Sequence, residues 1–210
     1  MRSTRAAFRP LTLKPVALKL AAFRDAEDGV AAIEFALILT LILLPLWLGF
    51  AEVAKMHERS TTMLSTTTTV ADMVSAYPKI TQAQLSDVLE AAAYTVGADA
   101  GRKRGDGTSM MNMMVKGVVV PKQGSTTPPY VAWSMDNDGR STCQLGDALP
   151  ARIAERGPAE RFLIVVEGKL SYKTNLDWNR SGYQSTKHRA YFSPRLAASV
   201  SGPNPCPKPA

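Results

Sequence analysis

From Val30 to Ala51 the chain is apolar almost without interruption: VAAIEFALILTLILLPLWLGFA. Glu34 is its one ionisable side chain and Pro45 its one proline. As a helix this stretch rises about 33 Å, enough to cross a hydrocarbon core of about 30 Å. It therefore predicts a transmembrane helix over 30–51. Pro45 removes one backbone hydrogen bond, which membrane helices tolerate. Trp47 falls where an interfacial aromatic is expected. After Ala51 the pattern turns amphipathic. Val53, Met56, Ser60, Met63, Leu64, Thr67, Val70, Ala71 and Val74 step by three or four residues. That spacing predicts one helix continuing to about Ala76 and ending before Pro78, with one face of residues 52–76 laid on a globular head. The run STTMLSTTTT at 60–69 is poor in helix propensity because threonine is β-branched. A flexible Thr-rich stalk is the alternative there, although mucin-like stalks add proline and this stretch has none.

A second, short helix is expected over Thr81–Val96. Thr81 with Gln84 reads as a capping box, and Leu85, Val88, Leu89, Ala92, Ala93 and Val96 form an apolar stripe. Gly97 is a natural stop. Beyond the loop at 98–109 the pattern changes to strands, expected at Met111–Val120, Tyr130–Met135, Arg161–Tyr172 and Lys187–Arg195. FLIVVEGKLSY, apolar at consecutive positions, reads as a central strand. Long loops separate the strands at 136–160 and 173–186, and the tail after Ser201 is proline-rich. The fold class is α+β: a long N-terminal transmembrane helix continuing into an amphipathic helix, a second helix, and an antiparallel sheet head over 77–210.

Charge adds an orientation. The formal net charge is +7, which suits nucleic acid or an acidic membrane surface. Before Gly29, however, stand Arg2, Arg5, Arg9, Lys14, Lys19 and Arg24 against Asp25, Glu27 and Asp28. The flank after the apolar block is mixed, with Glu52, Lys55, Glu58 and Arg59. The positive-inside rule puts residues 1–28 in the cytoplasm and 52–210 outside. The remainder carries no dense basic patch, so a nucleic-acid partner is not expected. GRKRGDG at 101–107 reads as a solvated loop. Both cysteines, Cys143 and Cys206, fall in the outer part. In an oxidising compartment they most simply form one disulfide, the alternative being two free thiols.

The segment at the membrane edge is more specific. Gly29 is followed by Val30, Ala31, Ala32, Ile33, Glu34 and Phe35. This G-x-x-x-x-E-F arrangement, after a basic leader and before an apolar helix, resembles the type IV prepilin processing site. EDGVAAIEFALILTLILLPLWLGFAEV is similar to the N-terminal segment of TadE-like proteins, minor pseudopilins of the tight-adherence (Flp) pilus assembly system. The resemblance covers roughly residues 25–75. It implies that residues 1–29 are a leader removed by a prepilin peptidase, with Val30 as the new N-terminus. It implies as partners the inner membrane, that peptidase, other pilus or pseudopilin subunits and the assembly platform. The physics of the motif stands beside the resemblance. A freed α-amino group on Val30 is positively charged near neutral pH. Glu34 lies about one helical turn away on the same face, near a helix N-terminus that favours negative charge. In a bundle of such helices the carboxylate can pair with an amine of its own or a neighbouring chain, rewarding one axial register. An intramembrane carboxylate costs about 2.5–3.5 kcal/mol on insertion scales, so it marks function by default. The alternative is a glutamate that merely sits at the interface.

Catalytic chemistry is not expected. There is no G-x-S-x-G, no Walker loop and no zinc signature. His57 and His188 are isolated from the cysteines, and no cofactor, metal or small-molecule substrate is expected. Asp136, Asn137, Asp138 and Gly139 make a D-x-D-G fragment without the later glutamate of a calcium loop, so a turn is the better reading. Trp133 and Trp178 read as core aromatics, with a groove lining as the alternative. The expected function is that of a processed pseudopilin-like assembly subunit. The rival is an uncleaved, membrane-anchored extracytoplasmic binding domain.

Overall fold

The computed structural model describes residues 27–97, 109–155, 157–173 and 183–209. In chain order the elements are α1 (Glu27–Ser75), α2 (Gln82–Val96), β1 (Met111–Val120), β2 (Tyr130–Asp136), α3 (Ala151–Ala154), β3 (Arg161–Lys173) and β4 (Tyr183–Phe192). The class is α+β, as the sequence pattern predicts. The boundary between two compact units falls inside α1, between Ala51 and Glu52.

In the first unit α1 is apolar on every side. Phe35, Leu41, Trp47 and Phe50 are all exposed, and none of its apolar window is buried by other described residues. Helices that are apolar all round belong in a large core or a membrane, and this one is long and apolar enough to cross a membrane. Pro45 lies inside it without ending it.

In the second unit α1 carries a narrow buried stripe. Met63, Thr66, Thr67, Val70, Ala71, Val74 and Ser75 are buried, at the three-and-four spacing of one helical face. The Thr-rich run is thus helix and not stalk. Its hydroxyls turn back on the helix: Thr61 donates to the carbonyls of His57 and Glu58, Thr67 to Met63, and Thr68 and Thr69 to Ser65. Such bonds compete with helix formation in an isolated peptide. Here tertiary burial of the stripe outweighs weak local propensity. Thr81 and Gln84 close the expected capping box at the start of α2, and Gly97 caps its end at φ 111°.

The sheet is antiparallel in the order β2-β1-β3-β4. The central pair, β1 and β3, is the most apolar and is buried on both faces. One core holds Met63, Val70 and Val74 of α1, Leu85 and Leu89 of α2, and Met113, Val115, Ile164 and Val166 of the sheet. A second holds Val118, Val120, Val131, Leu163 and Val165, with Leu145, Leu149 and Ile153 of the connecting segment packed against it. The register shifts after Gly117, which pairs with Trp133, while Val118 pairs with Val131. Ala132 is left as the extra residue of a bulge.

Two strand ends differ slightly from the sequence pattern, β2 and β3 each running one residue further. The fourth strand differs more: it spans Tyr183–Phe192, not Lys187–Arg195. Its early part pairs with β3 through Lys173↔Tyr183 and Tyr172↔Gln184. Gln184, Ser185 and Thr186 carry no apolar alternation to announce it. Ser193–Pro194 ends it, since proline cannot donate to a ladder. The short helix α3 has no signal of its own beyond Pro150 at its start.

Gly168 of β3 fixes how closely α1 lies on the sheet. A Cβ there would stand 2.2 Å from Met63 Cε and 2.8 Å from Thr67 Oγ1. Met63 and Thr67 are both fully buried, so one of them must shift to admit a methyl group. Gly168→Ala is therefore expected to cost about 1–3 kcal/mol by overpacking. In thermal melts this lowers Tm by roughly 2–4 °C per kcal/mol. Adding Met63→Ala should recover part of the loss, so that the double variant is more stable than the two single effects added. Strict additivity would show that the contact does not limit the approach.

Candidate functional site

The expected processing residues sit at the start of α1. The helix begins at Glu27, so Gly29 lies within its first turn and not just ahead of it. Val30, Glu34 and Phe35 are all exposed. Val30 and Glu34 are four residues apart, about 6 Å along the axis and on one face. Within one turn of Glu34 on its face α1 offers only the apolar Val30, Ala31, Leu37 and Ile38, and no cation is hydrogen-bonded to Glu34 among the described residues.

The second set of features lies in the unit from Glu52 on. Cys143 and Cys206 form the disulfide, 63 residues apart in sequence. It is the end of a longer strap. Arg195 N–H donates to Ser75 O, Ser201 N–H to Pro78 O, Ile80 N–H to Ser201 O, and Cys206 N–H to Ala132 O. The strap thus runs from the C-terminal end of α1 to the outer edge of β2. Trp133 holds its middle. The indole is buried and donates from Nε1 to Val200 O at 2.7 Å. Gly202 lies against the ring face, where a Cβ would come within 2.1 Å. Trp133 is a core aromatic, as its default reading has it, and Trp178 lies outside the described residues.

The third feature was not found from sequence. Lys116 of β1 is buried and its Nζ reaches Glu167 Oε2 at 2.8 Å and Leu145 O at 3.2 Å. Glu167 Oε1 meets Arg189 at 2.9 Å, and Arg189 meets Asp147 at 2.7 Å. The chain of charges crosses β1, β3 and β4 and ends on the loop that covers this face. A signal did exist: Lys116 and Glu167 interrupt the most apolar strands, MNMMVKGVVV and FLIVVEGKL. A charge at such a position is rarely left without a partner.

On the opposite face, Ser60 Oγ and His188 Nε2 share a hydrogen bond of 2.9 Å. Arg59 lies 4.9 Å over the Tyr172 ring. Burial pushes the Tyr172 hydroxyl above its usual range, opposed by the Arg59 guanidinium and assisted by Glu52. These contacts fasten α1 to β3 and β4. The D-x-D-G segment is a turn: Asp136 Oδ1 accepts from Asp138 N–H and Arg140 N–H, and Gly139 has φ 76°. Among the described residues no group of three or more metal-ligating side chains assembles. The GRKRGDG run and most of the leader lie outside the described residues. No protein-family model, curated protein or solved structure matches the chain.

The disulfide closes the strap, and its loss is expected to be felt across the unit. For this loop length the chain-entropy relation gives about 4 kcal/mol. Cys143→Ser/Cys206→Ser should melt at least several degrees lower than the parent and gain fluorescence from a loosened Trp133. Alkylation of unreduced protein should label neither cysteine. Full labelling without reductant would exclude the bridge.

Proposed function

We propose that the chain is a membrane-anchored, pseudopilin-like subunit of a tight-adherence (Flp) type pilus assembly system, processed between Gly29 and Val30 by a prepilin peptidase. The observation that carries this reading is Glu34: an exposed carboxylate one turn beyond Val30, at the start of a membrane-competent helix whose apolar window no other described residue covers. Such a surface is satisfied by lipid together with like helices from other subunits. Cleavage supplies the missing cation, the Val30 amine, at one turn's distance. The work done is packing and register, with residues 1–28 in the cytoplasm and the unit from Glu52 on in the periplasm or outside. The disulfide supports that orientation, since such bonds persist in oxidising compartments.

The rival reading, an uncleaved anchored binding domain, draws support from the chain of charges across the sheet. N-terminal sequencing of the protein from cells that carry the peptidase separates the two. Val30 as first residue is expected, and Gly29→Val should leave the leader in place. An intact leader on the wild-type chain would refute the processed form.

Glu34→Gln tests the assembly role itself. Neutralising the carboxylate removes an insertion cost, so the variant should insert normally, keep its disulfide and still be cut. Co-purification with the other pilus components should fall at least tenfold. Unchanged co-purification would dismiss pairing at Glu34.

A further inference from the structure

The sheet face opposite α1 and α2 carries an open cleft of about 480 Å³, lined in part by Asn112, Met114, Asp147, Lys169, Lys187 and Arg189. That volume is within the common range for ligand sites. Its floor is two rows across the sheet. In one row Asn112 pairs with Lys169, and Lys169 with Lys187. In the next, Met114 pairs with Glu167, and Glu167 with Arg189.

The charges of the two rows are not equally matched. Glu167 is held by Lys116 and Arg189, and Asp147 by Arg189. Both carboxylates of the cleft are therefore engaged. Lys169 and Lys187 are exposed and have no ion pair among the described residues. They stand on adjacent strands, about 4.8 Å apart, on the same face. Like charges directly opposite each other destabilise a sheet. A lysine pair at the mouth of a cleft, with an amide donor in the same row, is arranged for negative charge arriving from outside.

We propose that this cleft binds an acidic peptide segment of a partner polypeptide, its carboxylates held by Lys169 and Lys187 and its backbone by Asn112. Carboxylate suits the site better than phosphate. The guanidinium fork that takes phosphate in a bidentate way is occupied at Arg189, and Glu167 and Asp147 repel a dianion. The open form suits a chain passing through, and Met114 gives it an apolar contact. The proposal does not depend on whether the chain is a pseudopilin.

The test uses the full-length protein in detergent micelles and a fluorescent oligo-glutamate peptide, read by anisotropy. Oligo-glutamine, inorganic phosphate and anionic phospholipid vesicles are the comparison probes. Saturable binding of oligo-glutamate is expected, weakening as salt rises. Lys169→Gln/Lys187→Gln should weaken it at least tenfold. The charge-matched Lys122→Gln/Lys208→Gln, at exposed positions that do not line the cleft, should leave it unchanged. The cleft variant should melt at or above the parent temperature, because a repulsive pair has gone. Equal loss in both variants, or tighter binding of phosphate or vesicles through the same two lysines, would overturn the proposal. So would a cleft variant that melts below the parent, which makes the lysines structural.

Discussion

Met63 fills the space that a side chain on residue 168 would otherwise occupy, and the rest of the head is arranged around that contact. A helix can lie this close to a strand only where the strand offers no Cβ. Once it does, the neighbouring helix positions must be small or β-branched to follow: Thr66, Thr67, Val70, Ala71 and Val74 are buried in sequence along the seam. Threonine brings a hydroxyl into that seam, and at position 67 the hydroxyl is satisfied by Met63 O at 2.6 Å. A residue poor in helix propensity is thereby accommodated at position 67, while the buried Thr66 hydroxyl has no hydrogen-bond partner among the described residues. α2 then covers the remaining width of the same face with Leu85, Leu89 and Ala92.

What was legible in the sequence follows from how strongly each part depends on a local pattern. The membrane-competent stretch, the capping box of α2 and the two central strands each have a periodicity or a cap of their own. The disulfide was legible from count and compartment alone. The fourth strand was not, because its partner β3 decides its pairing and its first residues are polar on both faces. The status of the Thr-rich run was also undecidable locally: propensity pointed to a stalk and the apolar stripe to a helix. Tertiary burial, visible only once Gly168 is seen beneath it, decided between them. For the site, Gly29 and Glu34 are visible as spacing, whereas the row of Lys169 and Lys187 depends on strand register and cannot be read from residues 18 apart in sequence.

The buried charges follow a different logic from the seam. Taking Lys116 out of water is expensive, and its pair with Glu167 recovers that cost only with further bonds. Those bonds exist, to Leu145 O on one side and through Glu167 to Arg189 on the other. The network is better understood as a locator than as a source of stability. It fixes the connecting segment at Leu145 and Asp147 over a face whose apolar contacts, from Leu145, Leu149 and Ile153, would by themselves tolerate sliding.

The strap has a consequence in time. Residues 195–206 come after every described strand, yet they bond to the end of α1, to the turn before α2 and to the bulge of β2. During synthesis, all four described strands therefore emerge before the piece that ties them together. Until Trp133 receives Val200 O, its indole N–H has no partner, and the β2 edge has no cover. The interval is a window in which a chaperone or another strand can reach that edge, and oxidation of Cys143 with Cys206 ends it. A stop codon a few residues before Cys206 removes no helix and no strand, but it leaves that window permanently open.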